Sequence, residues 1–217
     1  MRKFQIAMAV FLALTLATAC RAEQPSEPQV FEEEYEILND QTSMDGEHTY
    51  LAIDVPSDNR VEYVDLAEIQ EVLAEGTGVM YFGFPECPWC RTLVPVLFEA
   101  VEAAGYEGPV YYGNFLNDRD KLSLDENGNI VVEQEGTEAY RQLVAKLCDW
   151  LGPYNGLNDE TIKRVYFPTT VFVKNGQIMD VHLTTVESQA SGYDPLTAEQ
   201  HAELLSALTA DIQMIME

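Results

Sequence analysis

The sequence predicts an α/β fold: a central mixed β-sheet flanked by helices, with a hairpin and a helix inserted before one strand. Three stretches carry that expectation. Residues 79–82 are an apolar run long enough for a buried strand, and beyond Gly83, Phe84 and Pro85 come Leu93, Val94, Val96, Leu97 and Val101 at helical spacing. Residues 110–115 (VYYGNF) read as a second strand, which implies a parallel pair joined by a helical crossover. Residues 165–174, the Asn175-Gly176 turn and residues 178–183 read as an antiparallel hairpin, followed by a helix whose Leu204, Leu205, Leu208 and Ile212 face the sheet.

In chain order, residues 1–20 form an export signal: Arg2 and Lys3, then an apolar stretch over 4–19 that is short for a membrane span. Leu16-Ala17-Thr18-Ala19-Cys20 resembles a bacterial lipoprotein cleavage box, with Cys20 as the lipidated first residue; ordinary cleavage after Ala-Thr-Ala is the alternative. Residues 21–48 are rich in Pro, Glu and Gln and read as an acidic, flexible tether. The folded domain is placed at 49–217. Residues 50–55 alternate weakly and are expected as a strand. Residues 65–74 carry Leu66, Ile69, Val72 and Leu73 on one helical stripe, with Asp65 as cap and Gly76 as stop. Gly105 and Gly108-Pro109 end the helix after residue 87.

The insertion covers about 118–164. It holds a hairpin, 122–124 and 130–132, around Asn127-Gly128, a pair suited to a primed turn. Asp125, Asn127 and Asn129 match the first positions of a calcium loop, but Ile130 and Gly136 stand where its glycine and last glutamate are needed, so calcium is rejected. Residues 137–151 form a helix with Leu143, Val144, Leu147 and Trp150 on one face and Cys148 as a small buried hydrophobe on or beside it. Asp194-Pro195-Leu196-Thr197 opens the last helix.

Composition narrows the function. At 217 residues the chain supports one good core with extra elements. Twelve Lys and Arg face 37 Asp and Glu, which argues against nucleic acid as a partner and against electrostatic attraction to anionic lipid, leaving a lipid anchor as the only membrane attachment. Four cysteines are too few for a disulfide scaffold of this length. His48, His182 and His201 lack paired spacing with them, so no metal site is expected.

The chemistry is expected at Cys87-Pro88-Trp89-Cys90, where strand hands over to helix. Unpaired N–H groups and the helix dipole favour a negative sulfur at Cys87, and a helix N-terminus lowers a cysteine pKa from roughly 8.5 to between roughly 3.5 and 7.5. The two-residue spacer lets both sulfurs meet within one turn. Pro88 has no N–H to leave unsatisfied and pre-sets φ.

Several motifs together resemble the thioredoxin superfamily: Cys87-Pro88-Trp89-Cys90, Pro95 five residues later, and Phe167-Pro168-Thr169-Thr170 before Val171-Phe172-Val173-Lys174-Asn175-Gly176. Among exported members the pattern is similar to bacteriocin-transport-accessory-type thioredoxin-like proteins. The resemblance implies a thioredoxin-like fold and an extracytoplasmic thiol–disulfide oxidoreductase, with Cys87 as nucleophile and Cys90 as resolving thiol. It implies a cis bond before Pro168, with Phe167, Pro168 and Thr169 as the substrate-binding loop, and the insertion as a lid or side wall to the site, as in other exported members. Trp89, in the spacer, is expected either at the rim as an apolar contact for partners or packed along the insertion. No cofactor is implied beyond a redox-active Cys87–Cys90 disulfide. The implied partners are protein thiols and disulfides and a membrane electron donor or acceptor. The alternative is a non-catalytic accessory module of an export or envelope complex. The family's buried aspartate is replaced by Tyr81, its partner lysine by Tyr112-Gly113, and its groove glycine by Thr184, while Glu86 directly precedes Cys87. Proton transfer at Cys90 is therefore expected to use water, Tyr81 or a group from the insertion.

Overall fold

The computed structural model describes residues 24–217; the expected export signal over 1–20 and the expected lipidation residue Cys20 lie outside the described residues. A five-stranded mixed sheet is flanked by helices. Its strands are β1 (Val61–Tyr63), β2 (Gly78–Phe82), β3 (Val110–Gly113), β6 (Thr169–Lys174) and β7 (Gln177–Leu183), in the order β1-β3-β2-β6-β7. β3 runs parallel to β1 and β2, whereas β2–β6 and β6–β7 are antiparallel. β2 is buried along its whole length, as an apolar run covered on both faces should be. Alternation sends Tyr81 to one face, against Phe31 and Tyr112, and Phe82 to the other, beside Phe115.

The helices are α1 (Glu27–Glu36), α2 (Leu66–Glu75), α3 (Pro88–Ala104), α4 (Glu138–Leu147) and α5 (Ala198–Met216). Asp65 caps α2 through the N–H groups of Ala67 and Glu68. α3 keeps Pro95 in its interior, ends on left-handed Gly105, and packs along α5. At the β6–β7 turn Asn175 and Gly176 both take positive φ, 51° and 74°, as a type I′ hairpin requires.

Several expectations are corrected. The flexible tether placed over 21–48 is folded from α1 onward. Phe31 and Tyr35, one helical turn apart, are fully buried among Tyr81, Phe98 and Tyr112. Two aromatics on one stripe outweigh an acidic composition whose charges stay on the solvent side. Residues 50–55 form no strand. Side chains hold their backbone instead: Asn39 bonds both polar groups of Ile53, Glu36 accepts from the Val55 N–H, and Arg91 donates to the Leu51 carbonyl. The sheet's edge is β1 instead, three residues that periodicity does not mark.

In the insertion, β4 (Lys121–Leu124) and β5 (Ile130–Gln134) form the expected hairpin, but not through a primed turn. Gly128 alone is left-handed, and its N–H bonds the Asp125 carbonyl. This is a type I turn closed by a left-handed glycine, with Asp125 Oδ1 accepting from the N–H groups of Asn127 and Asn129. α4 is shorter than predicted, so Cys148 is its C-cap and is exposed, and Trp150 lies beyond it, also exposed. Tyr140 takes the core position instead.

Candidate active site

Cys87 is the N-cap of α3, with extended backbone, and its Sγ accepts the Cys90 N–H at 3.3 Å. Pro88 is the first helical residue. Both cysteines of the pair are free thiols. Cys87 retains 6 % of its surface, whereas Cys90, a turn deeper, retains none.

The second wall is the loop ahead of β6. The Phe167–Pro168 peptide is cis, and the Cys87 thiol donates to the Phe167 carbonyl at 3.6 Å. The structure thus brings Cys87, Cys90, Phe167 and Pro168 together. Thr169 does not face the opening: it is fully buried and its hydroxyl donates to the Tyr166 carbonyl. Trp89 and Phe167 line a cleft of about 440 Å³, shared with Leu151, Asn155, Arg164 and Val186; Cys87 and Cys90 are not in its lining. Residues 184–194 close its far side. Thr184, left-handed at φ 62°, gives its N–H to the Pro168 carbonyl, and Gln189 and the Gly192 carbonyl tie the loop to the Thr92 hydroxyl of α3.

The two thiols sit in opposite fields. Hydrogen bonds from the Cys90 thiol and from the N–H groups of Cys90 and Trp89, with the Arg119 charge, hold Cys87 below the usual thiol range against the effect of its burial. Burial pushes Cys90 well up, and the adjacent Cys87 adds to this; the Tyr81 hydroxyl and the Phe84 N–H oppose it. The shallow sulfur is therefore the one that ionises first.

Three arginines that sequence reasoning passed over support this arrangement. Arg119, from the insertion, stacks 4.4 Å over the Phe167 ring and donates to the Val165 carbonyl. Arg164 stacks 4.5 Å over Tyr154, bonds its hydroxyl and donates to the Asp120 carbonyl. Neither makes an ion pair among the described residues. The insertion is thus a wall beside the cleft, and it brings positive charge to a very acidic protein. Arg91, directly after Cys90, is fully buried. Its guanidinium donates to the carbonyls of Tyr35 and Leu51, each at 2.7 Å, and to Asn39 Oδ1, which joins the start of α3 to the N-terminal segment. The available signal was rarity: in a chain with only twelve cationic residues, an arginine next to a motif cysteine has a reason to be there.

Among the described residues no cluster of His, Cys, Asp and Glu has the makings of a metal site, and no helix is long and apolar enough to cross a membrane. No protein-family model matches the chain, and no curated protein matches it.

Proposed function

We propose that the protein is an extracytoplasmic thiol–disulfide oxidoreductase of the thioredoxin-like class, acting on protein thiols and disulfides through Cys87 and Cys90. One observation carries the reading. The Cys87 sulfur occupies a helix N-cap, receives a backbone N–H and meets the carbonyl of Phe167, which belongs to a cis-proline loop and, with Trp89, lines an apolar cleft. The mixed sheet, with its parallel β2–β3 pair and antiparallel β6–β7 hairpin, fits the same reading.

In the reducing direction the Cys87 thiolate attacks one sulfur of a substrate disulfide. The substrate S–S bond breaks, one substrate thiolate leaves, and a mixed disulfide forms. The Cys90 thiolate then attacks Cys87, closing the Cys87–Cys90 disulfide and releasing the second substrate thiolate. Two electrons pass from the pair to the substrate, and the reverse sequence oxidises a dithiol. Lipidation at Cys20 would place this chemistry on the outer face of the cytoplasmic membrane, within reach of a membrane electron donor or acceptor.

The test is trapping. A Cys90→Ser variant accumulates protein mixed disulfides through Cys87 that dithiothreitol releases, and the purified wild type catalyses insulin reduction or oxidative refolding of a reduced protein. No trapped species and no activity in either assay overturn the proposal. The near-closure of Cys87 favours a second reading, an accessory module that only binds. A Cys87→Ser/Cys90→Ser variant that holds its partners as well as wild type would establish it.

A further inference from the structure

The surroundings of Cys90 present a specific chemical difficulty. Its sulfur is fully buried, yet it must carry negative charge to attack the mixed disulfide. The titratable groups facing it are Cys87 on its own helix, Tyr81 from β2, Tyr112 from β3 and Tyr35 from α1. None is a cation. All three phenols are pushed above their ordinary range, chiefly by burial, so at neutral pH they are neutral donors and not charges. A buried thiolate without a counter-charge depends on hydrogen-bond donors aimed at it.

The geometry singles out one side-chain donor. The Tyr81 hydroxyl and the Cys90 sulfur approach the same point beside Gly83, where a side chain would clash with both. The Tyr81 hydroxyl is also 2.7 Å from the Tyr35 hydroxyl, and both tyrosines are fully buried. A phenol has one proton. If Tyr35 donates to the Tyr81 oxygen, the Tyr81 proton is free for sulfur. Tyr35 is in turn fixed by its ring contacts with Phe31 and by Arg91, which holds its carbonyl. The Phe84 N–H is the remaining donor near the sulfur.

Building on the thiol–disulfide reading, we propose that Tyr81 is a catalytic residue whose hydroxyl donates a hydrogen bond to the Cys90 thiolate during resolution, and that Tyr35 is the positioning residue that orients it. The step balances without any further reagent. The Cys90 thiol loses its proton to the buffer, its sulfur lone pair forms the bond to Cys87, and the substrate sulfur leaves with the electron pair of the broken bond.

The test uses reduced full-length protein carrying Cys20→Ser and Cys148→Ser, with an aromatic disulfide, 5,5′-dithiobis(2-nitrobenzoate), as probe. Attack by Cys87 releases one coloured thiolate, and attack by Cys90 on the resulting mixed disulfide releases the second. Tyr81→Phe is expected to leave the first phase within about two-fold, to slow the second about ten-fold or more at neutral pH, and to move the second phase's pH midpoint upward, as loss of one charge-assisted hydrogen bond would. Tyr35→Phe shifts the same phase in the same direction by a smaller factor, and it carries the test should Tyr81→Phe not fold. A second phase with unchanged rate and pH midpoint in a folded variant overturns the proposal and leaves the Phe84 N–H as sufficient. Absence of either phase in the parent protein overturns the thiol–disulfide reading itself, and this proposal with it.

Discussion

Replacing Arg91 by methionine tests how the N-terminal segment is joined to the site. Methionine keeps most of the buried stem, so the change removes mainly the guanidinium. That group donates to the Tyr35 and Leu51 carbonyls and to Asn39 Oδ1, with a longer contact to the Pro85 carbonyl at 3.5 Å. Each acceptor stranded in the interior costs about 1–3 kcal/mol. Residues 50–55 are only partly buried, so some acceptors regain water, and the variant keeps no unpaired charge. We expect a net loss of about 3–5 kcal/mol, a large part of the roughly 5–15 kcal/mol that holds a typical domain together. With a urea slope of about 2 kcal/mol/M, the unfolding midpoint falls by about 1.5–2.5 M at unchanged slope. Circular dichroism in urea measures it, and amide exchange should show protection lost first in α1. A midpoint drop below about 0.5 M would refute the reasoning, because Phe31, Tyr35 and the other hydrogen bonds of α1, such as that from the Val55 N–H to Glu36, would then hold the helix without the guanidinium.

Arg119→Ala removes a charge that favours the Cys87 thiolate, so alkylation of Cys87 by iodoacetamide at neutral pH slows, by roughly two- to five-fold for a partly screened charge, and its pH profile moves upward; an unchanged profile would show that the helix N-terminus suffices. Trp89→Ala opens the cleft wall; it weakens use of protein disulfides, seen as a raised KM, while the reaction of Cys87 with a small disulfide stays within about two-fold. Asp211 on α5, nearly buried and facing Asp180 on β7, is raised to about 7 by burial and by that carboxylate. A carboxyl whose folded pKa lies above its unfolded value stabilises the protein in the protonated form, so its contribution is present below about pH 4 and is lost as pH rises towards 7. Asp211→Asn therefore gains about 1–2 kcal/mol at pH 8, the linkage value reduced for residual solvent contact, and almost nothing at pH 4. Urea midpoints at the two pH values decide it.

The elements legible in the sequence were those with a strong local signal. β2 and α3 announce themselves by an apolar run that gives way to helical spacing, and Asn175-Gly176 specifies its turn through the φ values it takes. Cys87 at a helix cap was readable because strand, breaker and helix are adjacent in sequence. What escaped depends on long-range pairing. β1 is three residues that are a strand only because β3 lies beside them. α1 was hidden because composition averages over faces: its glutamates set the mean, while Phe31 and Tyr35 set the fold. Residues 50–55 have the alternation of a strand but find side-chain partners first. Arg91, Arg119 and Tyr35 reach the site from 56, 46 and 46 residues away from their main partners, a separation that no motif encodes.

The early start of α1 also sets a length. Only residues 21–26 separate Cys20 from the first turn of that helix, and six residues fully extended span at most about 20 Å. Were Cys20 lipidated as proposed, a diacyl chain would therefore hold the Cys87–Cys90 pair in a layer scarcely deeper than the protein itself, where any membrane-bound partner would be locally concentrated and a freely diffusing one would have to come to the surface.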